Sequence, residues 1–499
     1  MSDLPSGWVQ VALGTVIQPK NERLSPTEAP EAKYLGLEHV EAHTNAILGT
    51  VPASAMTSSS VTFVAGDVLY GRMRPYLNKV VRPNFDGLAS AEFIVFPASV
   101  GVDSDFLLRR ISATDFVQFA CSQYEGDRPR VKFDQLGNFS LGLPSRAEQT
   151  RIVAKLEELL SDLDAGVAEL KAAQRKLKQY RQSLLKAAVE GALTAEWRAR
   201  NKPTETGAQL LHRILSERRA RWEAKQLTKF KEQGKTPPKD WQKKYPEPVQ
   251  PDTSDLPALP EGWVWASVDQ LSPGDLTNGR SVPTAQAGAK VLRLTAVKEG
   301  RIDLREFKVG AWSEEDAKSF AVVEGDLLIV RGNGSLTLVG RAGLVGHVVD
   351  QVAYPDTMIR LRVMDSVVSS SWVGLVWDSY LVRTHLERRA RTSAGIYKIA
   401  QPDIAIAPVP VPGVAEQARI RELFQQQLEQ IIAMQTMLEA GLRHSAAQRQ
   451  NILRAAFAGQ LVPQDANDEP ASVLLERIRA ERAAQAAVKP RGRKTRERA

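Results

Sequence analysis

A chain of 499 residues with 43% hydrophobic and 25% charged side chains has the balance of a globular protein and is too long for one hydrophobic core, so two or more domains are expected. Cys121 is the one cysteine, which excludes an intramolecular disulfide framework and a Cys-rich zinc site. No apolar run approaches the length that spans a bilayer, and the start, MSDLPSGWVQ, carries no export signal, so a cytoplasmic location is expected. Lys plus Arg outnumber Asp plus Glu by 66 to 58, which permits an anionic partner such as nucleic acid and does not by itself require one.

In chain order, residues 1–143 read as an α+β segment. Short β-rich runs, SVTFVAGDVLYGR and AEFIVFP, are broken by Gly, Pro and Asn and followed by the helical run SDFLLRRISATDFVQFA. Residues 144–194 read as one long helix. LPSRAEQ places a proline before its start, Glu148 suits the first turn and its dipole, and Gly191 suits the terminator. Ile152, Leu156, Leu159, Leu163, Leu170, Leu177, Tyr180 and Leu184 fall on alternating four- and three-residue steps, with Gly166 and Ala173 at the small positions, which predicts a heptad seam. Residues 195–258 are a charged helix and a Pro-rich linker, rich in Lys and Arg.

A second α+β segment, 259–411, and a second long helix, 412–462, follow. Ile420, Phe424, Ile431, Met434, Leu438 and Ile452 keep the seam register, with Gln427 and Gln448 also on it, and Gly459 ends the helix. Residues 463–499 are a C-terminal helix and a basic tail, KPRGRKTRERA, that reads as disordered.

The second half is a copy of the first. LPSGWV (Leu4–Val9) returns as LPEGWV (Leu259–Val264), and GDVLYGR (Gly66–Arg72) as GDLLIVR (Gly325–Arg331). LPSRAEQTRI (Leu143–Ile152) aligns with VPGVAEQARI (Val411–Ile420), and RQSLLKAAVEGAL (Arg181–Leu193) with RQNILRAAFAGQL (Arg449–Leu461). LLHRILSERRA from Leu210 matches LLERIRAERAA from Leu474. The helix marks share one offset, 268, whereas the marks in the α+β segments drift, as loops tolerate insertion. Helix length is thus constant and the domain between is variable.

Catalytic tools are missing from the sequence. There is no G-x-x-x-x-G-K-[ST] and no [DN]-P-P-[FYW]; RGNGSLTLVGRAG (Arg331–Gly343) is Gly-rich without a phosphate-binding lysine. His39 and His43 sit in YLGLEHVEAHT, which alternates as a strand does, so metal ligation is the lesser reading; Cys121 reads as a buried thiol. The α+β segments do carry cations, Asn and aromatics on turns after strands. YGRMRPYLNK and YEGDRPRVK offer Arg72, Arg74, Tyr76, Lys79, Arg128, Arg130 and Lys132. At matched places of the second copy, RGNGS and TSAGIYK offer Arg331, Asn333, Ser335, Tyr397 and Lys398. Arg and Asn read guanine and adenine edges bidentately, and Lys and Ser hold phosphates. Solvated loops are the plain alternative for each segment alone; recurrence at matched points favours DNA.

Two copies of LP-x-G-W, a domain with GD-[VL]-L…R, and [LV]-P-x-x-AEQ-x-RI opening a heptad helix together resemble the specificity subunit of a type I restriction-modification enzyme, with the C-terminal helix and tail similar to the type IA group. The resemblance covers nearly the whole chain. It implies two target-recognition domains separated by an antiparallel coiled coil with internal pseudo-two-fold duplication. Each domain would read one half of an asymmetric, split double-stranded DNA site, and the coil would set the spacer. It also implies two modification (methyltransferase) subunits and two restriction (motor-nuclease) subunits as partners. S-adenosylmethionine, ATP and Mg²⁺ would then sit on those partners and no cofactor on this chain, which would itself be non-catalytic. On that reading AEQ recurs because two half-sites need equal spacers and equivalent docking surfaces. Two other classes compete: a self-contained methyltransferase or endonuclease carrying such a module, and a coiled-coil scaffold whose β domains bind proteins.

Overall fold

The computed structural model describes residues 4–99, 101–124, 129–364, 368–393 and 395–488; the basic tail lies outside them. Two compact units are present, one built from residues 1–172 and 438–499, the other from 173–437. Each unit therefore takes the start of one long helix and the end of the other.

In the first unit, Val9–Ala12 pairs antiparallel with Ser140–Leu143, so the α+β segment is closed where it begins and ends. A five-stranded sheet runs in the order Arg23–Leu24, Ser60–Phe63, Gly87–Ala89, Lys33–Leu35, Val51–Pro52, beside a three-stranded sheet in which Val68–Gly71 lies between Val80–Val81 and Phe93–Phe96. Helices Ser104–Ile111 and Thr114–Ser122 follow, as SDFLLRRISATDFVQFA predicts. The strand expected through His39 stops at Leu35; Leu37–His39 is a 3-10 turn in which Nδ1 of His39 accepts from the Gly36 N–H at 2.9 Å. Cys121, expected buried, is only half-buried.

The second unit repeats the plan. Val264–Ser267 pairs with Pro408–Val411 in the same register, Val264 opposite Val411 as Val9 is opposite Leu143. Its main sheet has six strands in the order Thr277–Asn278, Met358–Leu361, Leu327–Val330, Ala342–Leu344, Arg301–Ile302, Val297–Lys298. Helices Ser370–Trp377 and Tyr380–Arg389 pack over it, with Trp372 and Trp377 fully buried. Their indoles are satisfied by the Pro410 and Gly340 carbonyls at 3.0 and 2.8 Å, as buried N–H groups must be.

The repeated GD dipeptides are turn devices. Gly66 and Gly325 hold φ of +91° and +89°, a conformation that disfavours a side chain, and the buried carboxylates of Asp67 and Asp326 each accept the N–H three residues back, from Val64 and Val323, at 2.9 Å.

AEQ is an internal clasp. The indole of Trp8 donates to Glu148 and that of Trp263 to Glu416, both at 2.9 Å, so LP-x-G-W and AEQ recur together because each completes the other. The amides of Gln149 and Gln417 donate to the Pro144 and Pro412 carbonyls and accept the N–H of Asp103 and of Ser369, the residues that open helices Ser104–Ile111 and Ser370–Trp377. All four side chains are buried. These four groups face inward, because a carboxylate and an amide without partners there would cost roughly 1–3 kcal/mol each.

The long helices span Arg146–Val189 and Val414–Phe457, 44 residues each, or about 66 Å. They run antiparallel within each unit. In the first, Arg449 pairs with Asp164 and Gly441 faces Leu170; in the second, the Tyr180 hydroxyl donates to Gln427 at 2.9 Å and Thr194 to Glu416 at 2.7 Å. The helices end at Gly191 and Gly459, with φ of +75° and +70°. Gly459 lies against Pro5 and Trp8, and Gly191 against Pro260 and Trp263, so each LP-x-G-W receives the end of the helix from the other copy.

The predicted seam holds at Ile152, Leu156, Leu163, Leu170, Leu177 and Leu184, but its alternate positions move by one residue. Leu160 is buried rather than Leu159 to the same degree, Val167 is half-buried where Gly166 is exposed, and Tyr180 is 48% exposed. On the second helix Gln448 is exposed and its neighbour Arg449 takes the contact, while Met434 is 53% exposed. A 3.6-residue period lets either neighbour of a seam position face the partner, and only the partner decides.

Candidate nucleic-acid interface

In the first unit the strand Val68–Gly71 delivers Arg72 to a junction of two segments. The Arg72 N–H donates to the Glu92 carbonyl at 2.9 Å, and its carbonyl accepts from Val131 at 3.0 Å; the Arg74 N–H donates to Pro129 at 2.8 Å, and Met73 bridges Arg130 antiparallel. YGRMRPYLNK and the end of YEGDRPRVK thus meet. Arg74 and Asn78 hold φ of +52° and +46° on either side of the turn Pro75–Leu77, a conformation costing on the order of 1–3 kcal/mol per non-glycine residue. Asn78 is fixed by donating to the Ser112 carbonyl at 2.8 Å, and the turn presents Tyr76, 46% exposed.

Glu92 serves two arginines. Its carboxylate lies 3.6 Å from Nε of Arg72 and pairs with Arg130. Lys79 is half-buried, with Nζ donating to the Leu37 carbonyl at 2.7 Å. Arg74 and Lys132 are exposed, and Lys132 opens the short helix Phe133–Leu136. Arg128 lies outside the described residues.

The second unit builds the same frame. The Arg331 N–H donates to the Thr357 carbonyl at 2.8 Å and its carbonyl accepts from Ile399 at 2.9 Å, the counterparts of the bonds at Arg72. Gly332–Asn333 pairs with Ile396–Lys398, Gly332 opposite Lys398 and Asn333 opposite Tyr397, and Arg391–Ser393 adds a third strand. Asn333 Oδ1 accepts from the Ser335 N–H at 2.9 Å, which leaves its amide N–H₂ without an intramolecular acceptor among the described residues. The Ser335 hydroxyl lies 2.9 Å from that of Thr337, and Arg383 holds the following loop through the Val339 and Thr337 carbonyls at 2.9 and 3.3 Å. Arg331, Asn333, Ser335, Tyr397 and Lys398 are brought together.

Register adds a residue that sequence reasoning missed. Arg391 stands directly opposite Lys398 and is exposed. In the sequence it reads as the end of the charged helix LERRAR, and only the proximity of TSAGIYK could have hinted at its role. No carboxylate pairs with Arg331, Arg391 or Lys398 among the described residues, so this sheet is uniformly cationic where its counterpart is partly neutralised by Glu92.

In helix Tyr380–Arg389, burial lowers the His385 pKa, the bond to the Asp403 carbonyl opposes that lowering, and the guanidinium of Arg389 adds to it. Its ring bonds to the Asp403 carbonyl at 2.9 Å through Nε2 and lies 3.2 Å from Arg389 through Nδ1. Burial also raises the Asp378 carboxyl, against the pull of Arg341, Arg181 and Arg383. No group of three or more His, Cys, Asp or Glu suited to a metal occurs among the described residues, and among them no helix is long and apolar enough to cross a membrane. The chemistry on offer is hydrogen bonding and charge: guanidinium and amide forks that match base edges, with lysines that match phosphates.

No protein-family model matches the chain. It is 29% identical over 227 residues to the Type I restriction enzyme EcoDI specificity subunit of Escherichia coli, covering 44% of this chain and 51% of that protein. It is 27% identical over 361 residues to the EcoKI specificity subunit of Escherichia coli strain K12, covering 69% and 64%. The chain therefore spans between half and two thirds of the length of these curated relatives. A chain from a solved structure on complex assembly and conformational transition of the type I R-M system shares the fold, with a TM-score of 0.65 at 20% identity over 92% of this chain and 100% of that one. By sequence, and by a fold whose duplicated frames occur once in each unit, the chain is a homologue of the type I restriction enzyme specificity subunits.

Proposed function

We propose that this chain is the non-catalytic DNA-reading subunit of a type I restriction-modification complex and recognises a split, asymmetric duplex site, one half per unit. The observation that carries the proposal is the pair of equivalent backbone frames furnished with different side chains: Arg74 with Arg72 and Arg130 sharing Glu92 in one, Arg331, Asn333, Tyr397 and Lys398 in the other. A shared frame with unlike readers is what two unlike half-sites require.

The two 44-residue helices act as the ruler for the unread base pairs between the half-sites. Two modification and two restriction subunits dock on the assembled chain and supply S-adenosylmethionine, ATP and Mg²⁺ chemistry, adenine-N6 methylation and ATP-dependent cleavage. Methylome sequencing of a host expressing the three subunits tests this. A bipartite methylated motif that changes when this chain is exchanged supports it. Methyl transfer or cleavage by the purified chain alone would replace it with a self-contained enzyme, and absence of salt-dependent DNA affinity would point to a protein-binding scaffold.

A further inference from the structure

The linker between the first long helix and the second α+β segment contains a built structure. Helix Gly207–Glu232 is anchored at Arg218, which is buried and donates to the Ser272 carbonyl at 3.1 Å, the Tyr245 hydroxyl at 3.0 Å and Asp269 at 2.9 Å. Beyond that anchor the helix runs about four more turns to a stop at Gly234, φ +63°, where the Lys235 N–H reaches back to Phe230. The chain then returns through Pro237 and Pro238 to the turn Trp241–Lys244. Trp241 stacks on Trp222 at 5.8 Å and meets Phe230 edge-on at 6.0 Å, while Trp222 meets Tyr245 at 5.4 Å. Aromatic packing rather than a large core holds this hairpin shut.

Its surface is cationic. Residues 219–245 hold nine Lys and Arg against three Asp and Glu, a net +6 in a chain whose whole net charge is +8. Lys225, Lys229, Lys231, Lys235, Lys239 and Lys244 are exposed, and none has a carboxylate partner among the described residues. Lys225 and Lys229 are one helical turn apart, about 6 Å along the axis, close to two phosphate steps of roughly 3.4 Å on a DNA strand.

The type of cation distinguishes the partner. Lysine is a hydrated point charge suited to phosphate oxygens and is depleted at protein interfaces, which favour Arg and aromatics; here the aromatics are spent on internal packing. At the matching sequence place of the other copy, Arg482 donates to the Gly14 carbonyl at 3.0 Å, and there too the sequence leads on to a basic stretch, KPRGRKTRERA.

We propose that residues 219–245 form an auxiliary arm that grips the DNA phosphate backbone without regard to sequence. The inference rests on the reading that the chain binds DNA. The arm raises affinity for all duplexes alike and leaves the recognised bases to the sheets.

The test uses the full chain with its modification subunit, binding of a fluorescent random-sequence duplex over a salt series, and two variants. In the first, Lys225, Lys229, Lys235 and Lys239 are all changed to Gln; in the second, all are changed to Arg. The Gln variant is expected to bind random duplex at least tenfold more weakly and to flatten the log–log salt slope by about three, with the methylated motif unchanged; the Arg variant is expected to match the original chain. An unchanged affinity and slope in the Gln variant would overturn the arm. So would equal weakening by both variants, which would mark a structural effect, and so would an intact DNA slope with loss of the modification subunit, which would mark a protein-docking surface. Failure of the unmodified complex to bind any duplex would instead remove the DNA-reading function on which the arm depends.

Discussion

Trp8 donates its indole proton to Glu148 at 2.9 Å, and 140 residues of variable domain are thereby closed on themselves at the mouth of a long helix. Trp263 and Glu416 repeat the bond at the same length. The second oxygen of each carboxylate is taken by the segment that follows the end of a long helix: Gln464 at 2.6 Å on Glu148, Thr194 and Arg198 at 2.7 and 2.6 Å on Glu416. One buried carboxylate therefore ties together the domain entry, its own helix start and the end of the other helix.

Replacing Trp263 by Phe should leave one buried oxygen of Glu416 without its donor and destabilise the protein by about 1–3 kcal/mol. Hydrogen exchange should show the loss of protection concentrated in residues 173–437, and Trp8→Phe should do the same to the other unit. Uniform loss across both units in either variant would contradict two separate clasps.

Changing Arg331 and Asn333 together to Ala should relax one half of the methylated motif, at roughly 1–3 kcal/mol for each lost bidentate contact. Degradation of both halves alike, read by methylome sequencing, would refute one reader per unit. Lys79→Ala is expected to weaken binding to all duplexes about equally and reduce the salt slope by about one if its ammonium also reaches a phosphate. If the bond to the Leu37 carbonyl is its whole role, stability will fall and the slope will not move.

Glu92→Ala frees Arg72 and Arg130 from their shared carboxylate. The expected outcome is broader recognition at the first half-site, by about tenfold in discrimination or roughly 1.4 kcal/mol, with the second half-site unchanged. Selection from a randomised duplex pool would measure it.

His385 makes the second unit acid-sensitive. Its folded pKa lies below the ordinary value, because burial and Arg389 oppose the charged ring. The unfolded chain therefore binds the proton first, and the contribution of His385 to stability is present above the unfolded pKa of about 6.5. It declines as pH falls from there toward the folded pKa, by at most about 1.4 kcal/mol per pH unit. Urea denaturation at pH 7.5 and 5.5 should show a smaller difference for His385→Gln than for the unmodified chain.

The ruler can be cut. In the first unit Asp164 pairs with Arg449 and Leu170 faces Gly441, so residues 166–172 lie opposite about 439–445. Deleting Gly166–Ala172 with Glu439–Ser445 keeps the helices matched, a better pair than the central heptads Gly166–Ala172 and Met434–Ala440 that the sequence suggests. Seven residues shorten the coil by about 10 Å, or about three base pairs at roughly 3.4 Å each. The variant should methylate the same half-sites across a spacer two to four pairs shorter, and full activity on the original spacer would show that the helices do not measure it.

The amino-acid sequence by itself determined the duplication, the equal helices and their ends, because these rest on local signals: a proline before the start, a glycine at positive φ after the end, and a hydrophobic period that needs no partner to be seen. It also brought forward the cations on the turns after Val68–Gly71 and Leu327–Val330, because strands, glycines and charge are written in short stretches. Tertiary structure alone decided which of two neighbours faces the coil, Leu160 over Leu159 and Arg449 over Gln448, since a helix period is satisfied by either. It alone placed Arg391 across from Lys398, because register is a relation between strands and not a property of one. It alone turned AEQ inward, because whether a carboxylate faces water or an indole depends on a tryptophan 140 residues away.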